Sequence, residues 1–487
     1  MTVRIEYAPI ASSAETLRRQ VAEAAERARR LGRPIVVSQT VPAPEALARD
    51  PAAFFARGAG RYAHRAYWER PAEGVALVGL GAARLIRCDG DDRERFRQAA
   101  AAIRDDLATA LIDGPGGEIN SADGAAGPAY LGGFAFDPAR PASPEWDGYP
   151  AAMLFLPRYL LAVRGAMAWL TMSLLVEPGA AGDAEAEAAL RELAGLQAPG
   201  AAPSVSPGEG SPRMVGEVPD PVAWQATVAN TAADIRAGRF EKVVLARTLR
   251  LQAGSPFDAA GALRALRVAY PSAYVFAVAS GARCFLGATP ELLVRLTGRD
   301  VEATCLAGSI GRGATAEEDE RLARRLLDSA KDQVEHRIVV RAIQGALAAV
   351  CDDLLVGAGP PRLLRVANVQ HLYTPVRGRL AGDRCVLDLV ERLHPTPAVG
   401  GYPRDVALAA IREREGFDRG WYAGPVGWVG PAGGEFAVAI RSALLAGDAA
   451  TLYAGCGIVG DSDPAAEYAE TGLKFRPMLA ALARTED

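Results

Sequence analysis

Only three lysines, Lys242, Lys331 and Lys474, stand among the 54 basic residues of the chain. Arginine cannot give up its proton, and its planar fork does not fit a point-charge site. A lysine that persists in an Ala-, Gly- and Arg-rich composition is therefore a candidate for work that arginine cannot do, with chance survival as the plain alternative. Lys242, in FEKVVLART, lies at the mouth of a predicted strand, Val243 to Ala246. Burial of an ammonium there would favour the neutral amine and make a general base; a strand-end lysine reaching solvent is the other reading. In FLGATPELLVRL an apolar strand enters a Gly-Ala-Thr-Pro turn and then Glu291. Apolar surroundings favour a protonated carboxyl, the form a general acid needs at neutral pH, whereas a glutamate after proline also suits the first turn of a helix.

Two further acidic elements could converge. In KDQVEHRIVV, Glu335 sits on an amphipathic helix whose buried side is marked by Val334, Ile338 and Val339. In SDPAAEYAETGLKFRPML, Asp463 reads as the N-cap and Pro464 as the first helical residue. Glu467, Glu470 and Lys474 then share one face at i, i+3 and i+7. Carboxylates from two helices could meet at a hard divalent cation, and an all-oxygen set in a chain with four histidines favours Mg2+ over zinc; surface pairing of Glu470 with Lys474 competes with this. Arg441, expected within one apolar strand from Glu435 to Leu445, suits a planar carboxylate. LYAGCGIVG ends a strand in glycines whose N–H groups could approach an anion.

The elements that must position these residues follow from periodicity. Helices are expected at Ala14 to Leu31, Asp91 to Leu111, Pro221 to Ala237, Thr315 to Val350 and Pro464 to Leu482. Strands are expected at Gly74 to Leu85, as a pair within Ala151 to Val176, and at Lys242 to Arg250, Ala273 to Ala279 and Thr451 to Ile458. Strand pairs with helices grouped between them predict an α+β fold rather than βαβ alternation. A Gly-rich loop spans Gly114 to Gly127. QAPGAAPSVSPGEGSP, from Gln197 to Pro212, has linker composition and divides an N-terminal part, 1–205, from a catalytic part, 218–484. VALVGLGAARLI imitates a dinucleotide fingerprint, but Arg84 stands where the third glycine belongs, so it reads as a strand and turn.

Composition narrows the chemistry. The 487 residues are 50% hydrophobic and 23% charged, as in ordinary globular proteins, and the net charge is −4 without a basic block. A nucleic-acid footprint and an anionic-membrane surface are thereby disfavoured. Arg158 and Arg164 interrupt the most apolar stretch too soon for a membrane span. The N-terminus lacks a signal-peptide core, and six scattered cysteines without a C-x-x-C pair fit a reducing cytoplasm. A small-molecule enzyme is the expectation, with a monomer as its default state.

In this order, EKVVLAR, GATPELL, AGSIGRG, KDQVEH and GCGIVGDSDPAAEYAET resemble the chorismate-utilising enzymes, which comprise isochorismate, salicylate, anthranilate and aminodeoxychorismate synthases. The resemblance spans about Val218 to Leu482 and reaches weakly to YLGGFAFD at Tyr130 to Asp137. It implies two large packed antiparallel sheets with helices outside and a cleft between them. It implies Mg2+ at Glu335 and Glu470, with Glu467 nearby, and chorismate bound by its ring carboxylate to the metal. Arg441, Tyr422, Lys474 and the backbone at Gly308 and Gly455 would receive the other anionic groups. The loop HPTPAVGGYP, from His394 to Pro403 and including Ala398 and Val399, resembles that of isochorismate synthases. Amine-incorporating relatives carry Ala-Gly-Thr there and salicylate-forming ones a Thr-Ala pair. In that reading Lys242 activates water for attack at C2 and Glu291 protonates the departing C4 hydroxyl. Ser309 in place of a common threonine and Arg404 in place of the lysine of amine users are small departures, the second favouring isochorismate synthase. Salicylate synthase is the alternative function. The long N-terminal part resembles menaquinone-pathway members more than siderophore ones.

Overall fold

The computed structural model describes residues 10–89, 93–114, 126–140, 143–179, 182–197, 211–357, 359–366 and 369–483. Most of the Gly114 to Gly127 loop and of the Gln197 to Pro212 linker lies outside them. The rest is a mixed α+β body built on 21 strands joined in one hydrogen-bonded network.

The network branches at the long strand Ala152–Arg164. One wing runs through Val75–Cys88, His64–Arg70, Tyr274–Ser280, Arg283–Thr289, Ser442–Ala446 and Ala449–Ile458 to Lys242–Gln252. On its other side, Ala152–Arg164 pairs with Met167–Val176, then Ile35–Pro42 and Leu111–Asp113. The second wing leaves through Tyr130–Phe134 and passes Pro425–Gly430, Gly433–Val438, Leu292–Thr297 and Asp300–Gly311 to Val369–Leu380. Every pairing is antiparallel except that of Ile35–Pro42 with Leu111–Asp113.

Alternation along the strands feeds two cores. In Tyr274–Ser280, Val275, Ala277 and Ala279 join one core, while Phe276 and Val278 join the other. The first is closed by Leu17, Val21, Leu263, Leu266, Phe475 and Met478, from the helices Ile10–Leu31, Ala259–Ala269 and Pro464–Leu482. The second joins residues of both wings, including Phe285, Tyr453, Phe134 and Phe436. Trp68 Nε1 crosses from one wing to donate to Glu435 Oε2 of the other at 3.1 Å. Burial on both sides explains why these strands read as near-continuous apolar runs.

Several expectations are met closely, including Pro464–Leu482 with Asp463 as its cap, Oδ1 accepting from Ala466 N at 2.8 Å. The fingerprint imitation is strand Val75–Cys88. Three expectations are corrected. The helix expected over Thr315 to Val350 is two, Ala316–Asp328 and Ala330–Ala348, because Ser329 leaves helical geometry and its hydroxyl caps the second by accepting from Asp332 N at 3.2 Å. The strand expected from Glu435 to Leu445 is also two, Gly433–Val438 and Ser442–Ala446. The chain leaves one wing for the other between them, and Arg441 turns the corner at φ 55°. Val334, placed on the buried side of its helix, is 44% exposed.

Gly132 lies where the wings meet, at φ 154°. A Cβ there would strike the Met153 carbonyl oxygen of the neighbouring strand, and backbone cannot yield as a side chain can. Gly132→Ala should cost about 3 kcal/mol or more of stability, read as a lowered unfolding temperature; an unchanged melt would contradict the register.

Candidate active site

The two wings and two helices bring most of the singled-out residues to one polar pocket. Its walls include Val244, Gly455 and Gly457 from one wing, Gly308, Ser309 and His371 from the other, and Glu291 from a link between them. Lys331, Asp332 and Glu335 come from helix Ala330–Ala348, Glu470 and Lys474 from helix Pro464–Leu482, and Ala398, Val399, Tyr422 and Arg441 from the connecting loops. Of the expected residues, Lys242, Glu467 and His394 do not themselves line the space. Lys242 and Glu467 stand just behind it. His394 turns away, its Nε2 lying 3.0 Å from the Phe136 carbonyl oxygen.

Glu291 follows Pro290 in the short link between strands Arg283–Thr289 and Leu292–Thr297, not in a helix. Its carbonyl accepts from Val438 N at 3.0 Å, which fixes the link against the sheet. Burial raises its carboxyl pKa to about 7, although the charges of Arg441, Lys242 and Lys474 pull the other way. It is thus balanced between acid and carboxylate at neutral pH, as the sequence suggested.

The three lysines of the chain each meet one of the three glutamates expected to hold metal. Lys242 Nζ lies 2.8 Å from Glu335 Oε1, Lys331 Nζ 2.6 Å from Glu467 Oε1, and Lys474 Nζ 2.6 Å from Glu470 Oε1. Lys242 is fully buried, and its Nζ sits in ion-pair contact without an aligned hydrogen bond. Burial works against the charge of Glu335, but Lys242, Lys331 and Lys474 outweigh it and hold the carboxyl below its usual range. Glu467 is pushed the other way, by burial and then by the neighbouring charge of Glu470. Lys474 also donates to the Gly455 carbonyl at 3.0 Å, so the Glu470–Lys474 contact faces the pocket and not open surface.

Small residues make this proximity possible. A Cβ on Gly457 would lie 2.8 Å from Lys242 Cε and closer still to Glu335 Oε1; one on Gly455 would lie 3.1 Å from the Tyr422 hydroxyl. Gly308, at φ 79°, would meet Asp332 Cβ at 3.0 Å.

Sequence reasoning missed three contributors. His371 is buried on the pocket wall with Nδ1 2.7 Å from Ser309 Oγ. Burial, reinforced by Arg441 and Lys474, holds it well below its usual pKa and therefore neutral. Nothing in HLYTPV signals this, because the alternating strand pattern is the same whichever side faces the pocket. Lys331 was singled out only by its rarity. Arg419 is the third. It grips Glu415 through two bonds, one of 2.8 Å, and donates to the carbonyls of Val399 at 2.9 Å and Val244 at 2.8 Å. Its guanidinium covers the Phe136 ring with 4.3 Å to the centroid. One buried cation thus ties the Ala398–Val399 loop to the Lys242 strand, a bidentate arrangement that lysine could not reproduce.

Among the described residues no three His, Cys, Asp or Glu side chains stand as a ready metal cage, each carboxylate being engaged by an ammonium instead. The donor chemistry nevertheless fits a hard divalent cation. Three carboxylates approach from two helices, and Glu467 Oε2 is buried without an aligned hydrogen bond, near the Ser462 hydroxyl and the Cys456 thiol.

The chain matches the chorismate binding enzyme family over residues 21–483. It is 35% identical over 469 residues to isochorismate synthase MenF of Bacillus subtilis, covering 96% of this chain and 98% of that one. It is 38% identical over 476 residues to the salicylate biosynthesis isochorismate synthase of Pseudomonas aeruginosa, covering 98% and 96%. The structure of MenF, the menaquinone-specific isochorismate synthase of Escherichia coli, superimposes with a TM-score of 0.75 at 28% identity, over 95% of this chain and all of that one. The fold is that of a chorismate-binding enzyme, and the chain belongs to that family. Within it the chain stands with the isochorismate synthases, which are isomerases. No helix among the described residues is long and apolar enough to cross a membrane.

The raised pKa of Glu291 makes a stability prediction with a definite sign. The unfolded carboxyl loses its proton near 4.5 and the folded one near 7, so the folded state binds more protons between those values and loses stability as pH rises through them. Glu291→Gln, which cannot ionise, should match the wild type near pH 4 and exceed it at pH 8 by on the order of 2–3 kcal/mol. Thermal unfolding at the two pH values checks this; an equal difference at both would show that Glu291 is not held protonated.

Proposed function

We propose that the protein converts chorismate to isochorismate by adding water at C2 and releasing the C4 hydroxyl, the ring double bonds shifting between the two positions. The observation that carries the reading is Glu291, a buried carboxyl with a pKa of about 7 on the wall of a pocket otherwise organised by fixed charges. Such a group can hand a proton to a leaving hydroxyl at neutral pH and be recharged from solvent.

Lys242, as the neutral amine left once its own proton has passed to solvent, takes the proton from the attacking water. The water oxygen becomes the C2 hydroxyl, the C4 oxygen leaves as water with the proton of Glu291, and no electrons pass to or from a redox cofactor. Both groups reset by returning one proton through solvent. Arg441, buried at the corner between two strands, receives a carboxylate of the substrate, with Tyr422 beside it. Lys474 and the backbone at Gly308 and Gly455 complete the anion-binding side. When bound, Mg2+ would be held by Glu335 and Glu470 with Glu467 behind them, and would fix the ring carboxylate of chorismate while neutralising carboxylates that otherwise engage the lysines. Ala398 and Val399 present no hydroxyl to the ring, which supports an isochorismate product over further cleavage to salicylate. We read the two wings as two packed antiparallel sheets with the cleft between them, and the chain as an N-terminal part, 1–205, and a catalytic part, 218–484.

Full-length likeness to the Bacillus subtilis and Escherichia coli MenF proteins supports supply of isochorismate for menaquinone. Likeness to the Pseudomonas aeruginosa protein named for salicylate biosynthesis supports a second reading, supply for a salicylate-derived siderophore. Both have the same product.

Incubation with chorismate and Mg2+ in 18O-labelled water should yield isochorismate labelled at the C2 hydroxyl, without pyruvate; pyruvate release would favour the salicylate synthase. Lys242→Ala and Lys242→Arg should both lower kcat by about 10²–10⁴-fold. Arginine is the stricter variant, since it keeps the charge and loses the removable proton. Near-normal turnover by Lys242→Arg would remove the base assignment.

A further inference from the structure

We propose that Lys331 is the exchangeable counter-charge of the carboxylate cluster: in the metal-free protein its ammonium holds Glu467, and a divalent cation binds by displacing it. The inference rests on the metal reading given above and adds to it the residue against which the cation competes.

Lys331 occupies the first turn of helix Ala330–Ala348, where the partial charge of the helix terminus is positive and a cation is unfavourable. Its strongest partner lies on another helix. Across the gap its Nζ meets Glu467 Oε1, on the first turn of helix Pro464–Leu482, at 2.6 Å. Glu467 is 1% exposed and repelled by Glu470, so without a cation it would be a costly buried charge. The charges that act most strongly on Lys331 are acidic: Glu467 first, from the facing helix, then Glu335 of its own helix and Glu470. Lys331 is therefore in the field that a divalent cation would occupy.

Exposure separates it from the other two lysines. The Lys242 side chain is 0% exposed and that of Lys474 10%, whereas 31% of Lys331 reaches solvent. Its long stem can swing out and regain water at little cost. The other two ammoniums, at 0% and 10% exposure, have no such route to water. Glu467 then keeps Oε1 for whatever replaces the ammonium, with Oε2 buried and without an aligned hydrogen bond. Lys331 is thus a positioning residue, and it is not needed at the reacting atoms.

The test is calorimetric titration of the full chain with Mg2+ in the absence of substrate, combined with thermal unfolding in chelator. Lys331→Met should bind Mg2+ about threefold to tenfold more tightly than the wild type, and should melt at a lower temperature when metal-free. Lys331→Gln, which can still hydrogen-bond Glu467, should shift affinity in the same direction with a smaller loss of stability. Lys331→Arg, which keeps the charge, should not tighten binding. A residue serving only the fold would not raise metal affinity when removed. Unchanged or weaker Mg2+ binding by both neutral variants, with a wild type that binds, overturns this inference and leaves the metal reading standing. A wild type that takes up no Mg2+ overturns both.

Discussion

Three ammonium–carboxylate contacts in a largely buried cleft are the constraint on which the rest of the site depends. Each ion alone would pay several kcal/mol for leaving water. Drawn from two helices and one sheet wing, they fix Glu335 and Glu467 against their neighbours, and Glu470 against its own helix, before any ligand is present. Glu291 forms no such pair among the described residues, and burial therefore decides its protonation. One polar space thus holds Glu335, kept charged by its ammonium partners, and Glu291, kept near neutral by its surroundings. That separation of roles among like side chains is what acid–base chemistry at neutral pH requires.

The scaffold serves this arrangement by bringing distant chain segments to the same few ångströms. Strand Lys242–Gln252 supplies one wall, and the link around Glu291 the other. The helices carrying the carboxylates start at Ser329 and Asp463, each capped by its own side chain, so their first two turns present Glu335, Glu467 and Glu470 at defined heights. Gly455 and Gly457 let the strand backbone lie against Tyr422 and the Lys242–Glu335 pair, and Arg419 fastens the Ala398–Val399 loop to the strand behind Lys242. The corner at Arg441 lets one chain segment pair in both wings while turning a guanidinium into the space between them.

Much of this was legible because the relevant signals are local. The cap and proline at Asp463–Pro464 mark their helix unambiguously, and the i, i+3, i+7 spacing places Glu467, Glu470 and Lys474 on one face whatever the tertiary fold. Lysine scarcity pointed to all three lysines without locating them. What escaped is long-range. No pattern in HLYTPV says that His371 faces the pocket and not the opposite side. The pairing of Lys331 with Glu467 joins residues 136 positions apart. The break at Arg441 is invisible to an apolar count because it comes from a change of pairing partner. Val334 shows the reverse: an apolar residue on an amphipathic helix reads as core yet is exposed, and single exposed aliphatics are ordinary. His394 belongs to a loop that does reach the pocket, yet its ring serves Phe136.

The central claim is that Glu291 carries a proton at neutral acidity while the nearby Glu335 remains a carboxylate. The infrared difference spectrum between the wild type and Glu291→Gln measures it directly. The account requires a protonated-carboxyl stretch in the wild type at pH 6 that is lost as pH rises through about 7 and is missing from the variant. A carboxylate signal assigned to Glu291 already at pH 6, with no protonated band, would contradict it.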